Sequence, residues 1–370
     1  MNFRATHTAI LMQYFAGFYI RSYLGSVIMK TALVLGGAGY IGSHMVNLLA
    51  RKGWQVTVFD NLSRGHQDSC PSAEFIVGDL TRFDEIDACL SKKSFDVIMH
   101  FAACAYVAES VRDPELYYQN NVIGSLNLLR AMRKQHHSRL IFSSSCATYG
   151  VPTCIPMAED THQEPISPYG FTKLVIEHAL IDYALAYDIN SVSLRYFNAA
   201  GCDASGVIGE RHDPETHLIP LALYEALRTK NGAMPNGTLL NVFGDDFATP
   251  DGSCIRDYVH VTDLCQGHFL AAEKLISGQV KGAQFFNLAN KIPYSVFEVI
   301  DACRRVTGQP IHFKIQPRRP GDAPALTGNA RKAFQELGWE PTYISLDAII
   351  STAWNYMLTT DVRQSNHPLH

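Results

Sequence analysis

The segment Gly36-Gly37-Ala38-Gly39-Tyr40-Ile41-Gly42 constrains the fold of this chain more than any other. It comes after a short apolar run, Thr31–Leu35, and opens a helix-like stretch, so it reads as a strand–turn–helix junction. Glycines there permit a tight turn, let a second backbone or an anionic ligand come close, and leave helix N–H groups pointing outward. The segment parses as GxGxxG from Gly37 or as GxxGxxG from Gly36, with the same physical meaning. A glycine pattern alone is weak, and its weight depends on the rest of the chain.

From Thr31 onward short apolar runs alternate with longer periodic stretches. Strands are predicted at 31–35, 55–59, 74–77, 96–100, 140–143 and 191–195, and helices at 40–52, 114–135 and 168–187. Several strand runs are apolar at nearly every position, as expected of strands covered on both faces. This pattern predicts an α/β fold, a doubly wound parallel Rossmann sheet. After Asn198 glycine and proline become frequent, turns cluster near 234–237 and 250–252, and the alternation loosens. A second, smaller α/β domain is expected there, with helices at 220–229, 261–275 and 296–307. The Trp339 region is read as packing of a C-terminal helix.

Acidic residues close the early strands. Asp60, with Asn61, Leu62 and Ser63 after it, stands where a carboxylate accepts the adenosine ribose hydroxyls and repels a 2′-phosphate. NAD is therefore expected over NADP, with Arg64 nearby as the one contrary charge. Asp79 and Leu80 end the third strand, where an adenine would lie.

The chemistry is expected from Ser145, Tyr169 and Lys173. Ser143-Ser144-Ser145 closes the fifth strand, and Tyr169 and Lys173 sit four apart at the start of a helix, hence on one face. A phenol with pKa near 10 is too weak a base at neutral pH. A neighbouring ammonium and a positive nicotinamide would both favour its phenolate. Tyr169 would then take a hydroxyl proton while hydride leaves the same carbon, with Ser145 bonding the developing carbonyl. A Tyr and a Lys four apart is commonplace, and the pair gains meaning only from the glycine loop and the serine-rich strand end.

Composition excludes other classes. A formal net charge of −4 and a pI near 6.4 argue against nucleic-acid or anionic-membrane binding. The nine cysteines are scattered, odd in number and without CxxC, so they read as reduced thiols of a cytoplasmic protein and not as a disulfide framework or zinc site. Fifteen histidines show no ligand spacing, and no metal is expected. Residues 1–28 carry an apolar run from Thr8 to Ile20 without a convincing cleavage site, and too short to span a bilayer. They are read as an extension outside the core, with a membrane-surface anchor as the second reading. Residues 359–370 are read as a frayed polar tail.

From Lys30 to about Met357 the chain resembles the UDP-glucose 4-epimerases of the extended short-chain dehydrogenase/reductase family. The resemblance rests on Gly36–His44, Asp60–Ser63, His100–Ala103, Ser143–Ser145, Tyr149-Gly150, Ser167–Lys173, Leu194–Asn198, Phe243-Gly244, Asp251-Gly252, Ile255–Tyr258 and Arg318–Asp322. It implies an NAD-dependent isomerase acting on a UDP-sugar, in a homodimer joined through the helices at 114–135 and 168–187. Residues 29–198, with about 240–275 interleaved, would bind NAD, and 199–358 mainly the UDP-sugar. Gly36, Gly39, Tyr40, Ile41 and Gly42 would line the pyrophosphate, Asp60, Asn61 and Ser63 the ribose, and Asp79 and Leu80 the adenine. Phe101, Ala102, Ala103, Asn121 and Phe197, with Tyr169 and Lys173, would complete the cofactor cleft. The sugar nucleotide would meet Ser145, Tyr169, Asn198, Leu218, Phe243, Arg256, Arg319 and Asp322, two guanidinium groups serving its diphosphate.

Three departures stand out. Ala105 replaces a lysine that touches the cofactor pyrophosphate, His217 replaces a sugar-contacting Asn, and Leu326 stands where a residue gates N-acetylated sugars. The related 4,6-dehydratases carry an Asp-Glu pair after the small hydroxyl residue. Here Ser145 precedes Cys146-Ala147-Thr148, which points to epimerisation. A non-catalytic NAD(H)-binding regulator is the alternative of a different class, and it has no use for Ser145, Tyr169 and Lys173 together.

Overall fold

A computed structural model describes residues 29–232, 240–319 and 322–366, with side chains to residue 360. The expected extension at 1–28 and turn at 234–237 lie outside the described residues. Seven parallel strands form the central sheet: β1 (Thr31–Leu35), β2 (Gln55–Asp60), β3 (Glu74–Val77), β4 (Val97–His100), β5 (Arg139–Ser145), β6 (Asn190–Tyr196) and β10 (Ala283–Leu288), in the order β10-β6-β5-β4-β1-β2-β3. The helices between them are α1 (Tyr40–Arg51), α2 (Phe83–Lys92), α3 (Val107–Arg112), α4 (Pro114–Tyr117), α5 (Gly124–Lys134) and α6 (Pro168–Tyr187).

The two faces of the sheet explain its sequence. Ala32 and Val34 of β1 pack into one core with Met45 and Leu49 of α1, while Leu33 and Leu35 pack into the opposite core with Ile86 and Leu128. Val97 and Met99 of β4 divide from Ile98 in the same way. With both faces covered, apolar residues are required at every position. The strand order reverses direction between β1 and β4, and a crevice outside the carboxyl ends at such a switch point is where these sheets hold ligands.

The remainder builds a second region. Its elements are β7 (Asn198–Ala200), α7 (Leu218–Lys230), β8 (Leu240–Phe243), β9 (Ile255–His260), β11 (Pro293–Ser295), α9 (Val296–Thr307), β12 (Phe313–Gln316), β13 (Ala325–Leu326) and α10 (Leu346–Asn366). Helix α8 (Val261–Ile276), which follows β9, returns to the central sheet: its Leu264, Ala271 and Leu275 pack into the core of Val34 and Met45. β11, β9, β13 and β7 make a four-stranded sheet, and β8 pairs with β12. A third core joins Ile219, Leu223, Tyr258, Ile300, Ile350 and Trp354. Trp339 is buried and donates from Nε1 to the Asp263 carbonyl at 2.8 Å.

Three expectations need correction. The single helix expected at 114–135 is broken by a wider turn at 118–123, where Asn121 is buried. The tail expected to fray from Thr359 continues α10 to Asn366. Helix α2 is an addition to the helices predicted from the sequence. No helix among the described residues is long and apolar enough to cross a membrane.

Candidate active site

The glycine loop leaves β1 and turns immediately against β4. Gly36 adopts φ +73°, and a Cβ there would lie 2.4 Å from the Ala102 nitrogen. A Cβ on Gly42 would lie 2.1 Å from the Gly36 carbonyl oxygen, so its absence lets α1 seat on the turn. Gly39, the N-cap of α1, has no side-chain cap, and a Cβ there would meet only the Gly36 oxygen within 4 Å. The first turn of α1, with Tyr40 and Ile41, thus presents an uncapped positive helix end beside free space. That arrangement fits the pyrophosphate of a dinucleotide.

Asp60 joins this loop to the end of β2. Its carboxylate accepts from the backbone N–H groups of Ala38 (3.0 Å) and Leu62 (2.8 Å), and burial raises its pKa against those two bonds. Ser63 donates its N–H to the Asn61 side chain, and Asn61 donates to Asp79 at 3.1 Å, which ties the end of β2 to that of β3. Leu80 is buried beside them. Beyond β4, the Phe101 ring lies 4.7 Å from His268. Asn121 accepts from the Cys104 N–H and donates to the Cys104 carbonyl, clamping the loop that begins Ala102-Ala103-Cys104. Phe197 is buried against Gly328. Near Ala105, where the family lysine is missing, Arg64 lies 4.9 Å over the Tyr106 ring and pairs with Glu109 at 2.7 Å. Its charge is thereby spent locally, leaving Asp60 to set the preference at the β2 end.

The expected acid–base group is set by the start of α6. Ser167 caps the helix by accepting from Gly170 N–H, Pro168 occupies its first turn, and Gly170 lets it close on the Ala147 carbonyl. Tyr169 is thereby brought beside Ser145, whose side chain lies close enough to act on its phenol. One turn on, Lys173 donates to the Ser143 carbonyl at 2.7 Å, its nitrogen 5.9 Å from the Tyr169 ring centre. Burial pushes the Tyr169 phenol up to about 12, with the Ser145 side chain opposing it. Burial likewise pulls Lys173 down to about 7, with Glu177 opposing. Lys173 is not among the groups that shift Tyr169, so the depression expected from its ammonium is not found, and loss of water raises the phenol instead.

Four of the expected sugar-nucleotide residues converge. Arg256 Nη2 lies 3.6 Å from Asp322 Oδ1, Arg319 Nε donates to Asp322 Oδ2 at 3.0 Å, and the Arg319 guanidinium lies 4.5 Å over Phe243. Leu326 is the register partner of Arg256 across β13 and β9. Asn198 pairs with Tyr258 across β7 and β9. Leu218 opens α7 and packs on the third core. The buried Cys146 thiol lies within electrostatic reach of both Arg256 and Tyr169.

Sequence reasoning missed the support beneath Tyr169 and Lys173. Glu177, one turn beyond Lys173, accepts from Arg195 Nε (2.9 Å) and Nη2 (2.7 Å) and from Ser144 at 2.6 Å. Arg195 also donates to the Tyr149 hydroxyl, which donates to Asn287. Both members of the Glu177–Arg195 pair are nearly fully buried. The i, i+4, i+8 spacing of Tyr169, Lys173 and Glu177 was the available signal. Sequence reasoning also missed a convergence of histidines: Glu210, His212, Glu215 and His217 come together ahead of α7, so the histidines are not uniformly scattered.

Comparison with known proteins agrees with this geometry. Residues 32–289 match the NAD dependent epimerase/dehydratase family. The UDP-glucose 4-epimerase of Halalkalibacterium halodurans is 47% identical over 324 residues, covering 88% of this chain and 94% of that one. The one from Rhizobium meliloti is 46% identical over 324 residues, covering 88% and 96%. Among solved structures, UDP-glucose 4-epimerase from Brucella ovis in complex with NAD has 47% identity and a TM-score of 0.82, over 88% of this chain and 97% of that one. The Bifidobacterium longum enzyme in complex with NAD+ and UDP has 34% identity and a TM-score of 0.83, over 90% and 99%. On the matched family, the relatives' identity and the shared fold, this chain belongs to the NAD-dependent epimerase/dehydratase family.

Proposed function

We propose that this protein is an isomerase that interconverts UDP-glucose and UDP-galactose at C4, with NAD as cofactor and Tyr169 as the acid–base group. NAD, held by the glycine loop, Asp60 and the β4 loop, supplies a hydride acceptor and donor and a positive charge. The chain's residues do the rest. Tyr169 takes the proton of the sugar 4-hydroxyl and returns it, its phenolate favoured once a positive charge stands close enough to outweigh burial. Ser145 bonds the oxygen of the 4-keto sugar as it forms. Lys173, anchored on the Ser143 carbonyl, keeps its nitrogen beside the Tyr169 ring. Arg256 and Arg319 hold the diphosphate and Asp322 the uridine ribose, with Phe243 beside uracil. A firm grip on the nucleotide and a loose one on the hexose allow the sugar to turn over between the two transfers.

The observation that carries this reading is the Ser145–Tyr169–Lys173 group at the carboxyl end of the sheet, without a carboxylate after Ser145. A dehydratase would need one. Leu326, opposite Arg256, supports a second reading in which an N-acetylated hexose, or a pentose, is also accepted. Incubation with UDP-galactose, UDP-N-acetylglucosamine and UDP-xylose, with identification of products, tests both. Conversion of UDP-galactose to UDP-glucose is expected, and a stable 4-keto-6-deoxy product would overturn the proposal.

The NAD-binding part is assigned to 29–198 with later segments interleaved, of which α8 packs on the central sheet and β10 pairs within it, and the sugar-binding part mainly to the rest of 199–358. All nine cysteines are free thiols, which supports a cytoplasmic enzyme. Phe171, Ile181 and Leu185 of α6 and Leu116, Tyr118 and Ile123 of the adjoining segment are exposed, which supports a homodimer joined through these helices.

A further inference from the structure

Ahead of α7 the chain reads Glu210-Arg211-His212-Asp213-Pro214-Glu215-Thr216-His217, and its four ligand-type side chains fold onto one point. Glu210 Oε1 lies 3.0 Å from His212 Nδ1 and 3.0 Å from His217 Nδ1. Glu215 Oε1 lies 2.8 Å from His217 Nδ1, and Glu215 Oε2 lies 3.7 Å from His212 Nδ1. All four donor atoms fall within 4.8 Å of one another.

Two further observations point to a ligand. The carboxylate side chains of Glu210 and Glu215 are only 8% and 6% exposed. Glu215 Oε2 is buried and has no hydrogen-bond partner among the described residues, although it faces the cluster. A buried carboxylate oxygen left unpaired is costly, and two buried carboxylates side by side more so.

We infer that this quartet is a binding site for one divalent transition-metal ion of the zinc class, a site separate from the epimerase centre. Zinc bonds of about 2.0–2.1 Å in a tetrahedron set ligand atoms about 3.3 Å apart; the four carboxylate–imidazole separations of 2.8 to 3.7 Å straddle that value, and a closing-in from a full span of 4.8 Å would complete the tetrahedron. Two carboxylates balance the charge of the ion, and two neutral imidazoles complete its shell. The nitrogen–oxygen set favours zinc over magnesium or calcium, which take oxygen ligands.

The site's role is structural. His217 is the N-cap of α7 and precedes Leu218, so an ion here fixes the start of that helix. The His212 ring lies 6.0 Å from Tyr40 of α1 and 5.9 Å from Tyr106, and Tyr106 donates its hydroxyl to the Pro214 carbonyl. The ion would therefore brace the sugar-binding side against the helix that carries the glycine loop. His217 is then a metal ligand and is not a substitute for the family's sugar-contacting asparagine.

The test uses the full chain, purified without a histidine tag. Elemental analysis should find about one zinc per chain, as a closed four-ligand site requires. After removal by a chelator, titration with zinc chloride alone should restore one equivalent and raise Tm. Cobalt(II) chloride should give the intense visible bands of a tetrahedral centre. Glu215→Gln and the double variant His212→Ala/Glu215→Gln should lose the cobalt spectrum and the zinc-dependent rise in Tm. Stripped wild-type protein that takes up neither zinc nor cobalt would overturn the inference, leaving a metal-free ion-pair quartet. Full uptake by a folded double variant would overturn it too, by placing the metal elsewhere. Should the variants not fold, the cobalt spectrum and titration of the wild type decide alone.

Discussion

At the scale of single residues the proposed chemistry turns on Tyr169 and Lys173. Tyr169→Phe removes only the hydroxyl, and kcat is expected to fall about 10²–10⁴-fold with NAD binding and thermal stability little changed; steady-state rates with UDP-galactose, beside a melting curve, check this. Lys173 gives a prediction for stability against pH. Its folded value lies near 7, below the ordinary lysine value of 10.5, because burial penalises the ammonium. Between those values the unfolded chain binds more protons than the folded one, so this lysine makes stability rise with pH from about 7 to 10.5. Lys173→Met should flatten that rise; urea unfolding across the window measures it, and an unchanged slope would contradict the burial argument. The places of Ser145, Tyr169 and Lys173 at the strand end and on one helix face were legible because such spacings are local. Glu177 and Arg195 were not recognisable as a pair, since they meet only when β6 lies beside α6. The same holds for His212 and His217, whose five-residue separation fits no regular element and closes only in this loop.

At the scale of elements, the glycine loop and α6 make opposite demands on sequence. Gly36→Ala forces a Cβ into the Ala102 backbone at φ +73°, where nothing flexible can yield. Loss of NAD binding together with a fall in Tm is expected, measured by cofactor titration and calorimetry. Breaking the pair beneath α6 by Glu177→Ala leaves a buried guanidinium uncompensated and should cost about 3–5 kcal/mol in urea unfolding. The strands of the central sheet were readable because both-face burial requires continuous apolar runs. Helix α2 escaped because its buried residues are only Ile86, Cys89 and Leu90 amid charged neighbours. The interruption at 118–123 escaped because no proline or glycine marks it. It arises where the Asn121 side chain turns inward to hold Cys104. Strand β10 completes the sheet from far along the chain, beside β6, a pairing that no local pattern announces.

At the scale of the whole molecule, the exposed apolar face of α6 is the surface proposed for the homodimer. Leu185 is 84% exposed, and the Tyr118 ring lies 6.5 Å from Phe171 on an exposed stretch of the same helices. Leu185→Asp should shift the solution mass from two 41.1 kDa chains toward one, as light scattering after size exclusion would show. The mechanism requires that the hydrogen on C4 leave and return to the same carbon on the opposite face, with the nucleotide held throughout. UDP-galactose carrying deuterium at C4 tests this most directly. The expected product is UDP-glucose with the deuterium still on C4 and none in solvent; deuterium washed into water, or moved to C6 in a 4-keto-6-deoxy sugar, would contradict it.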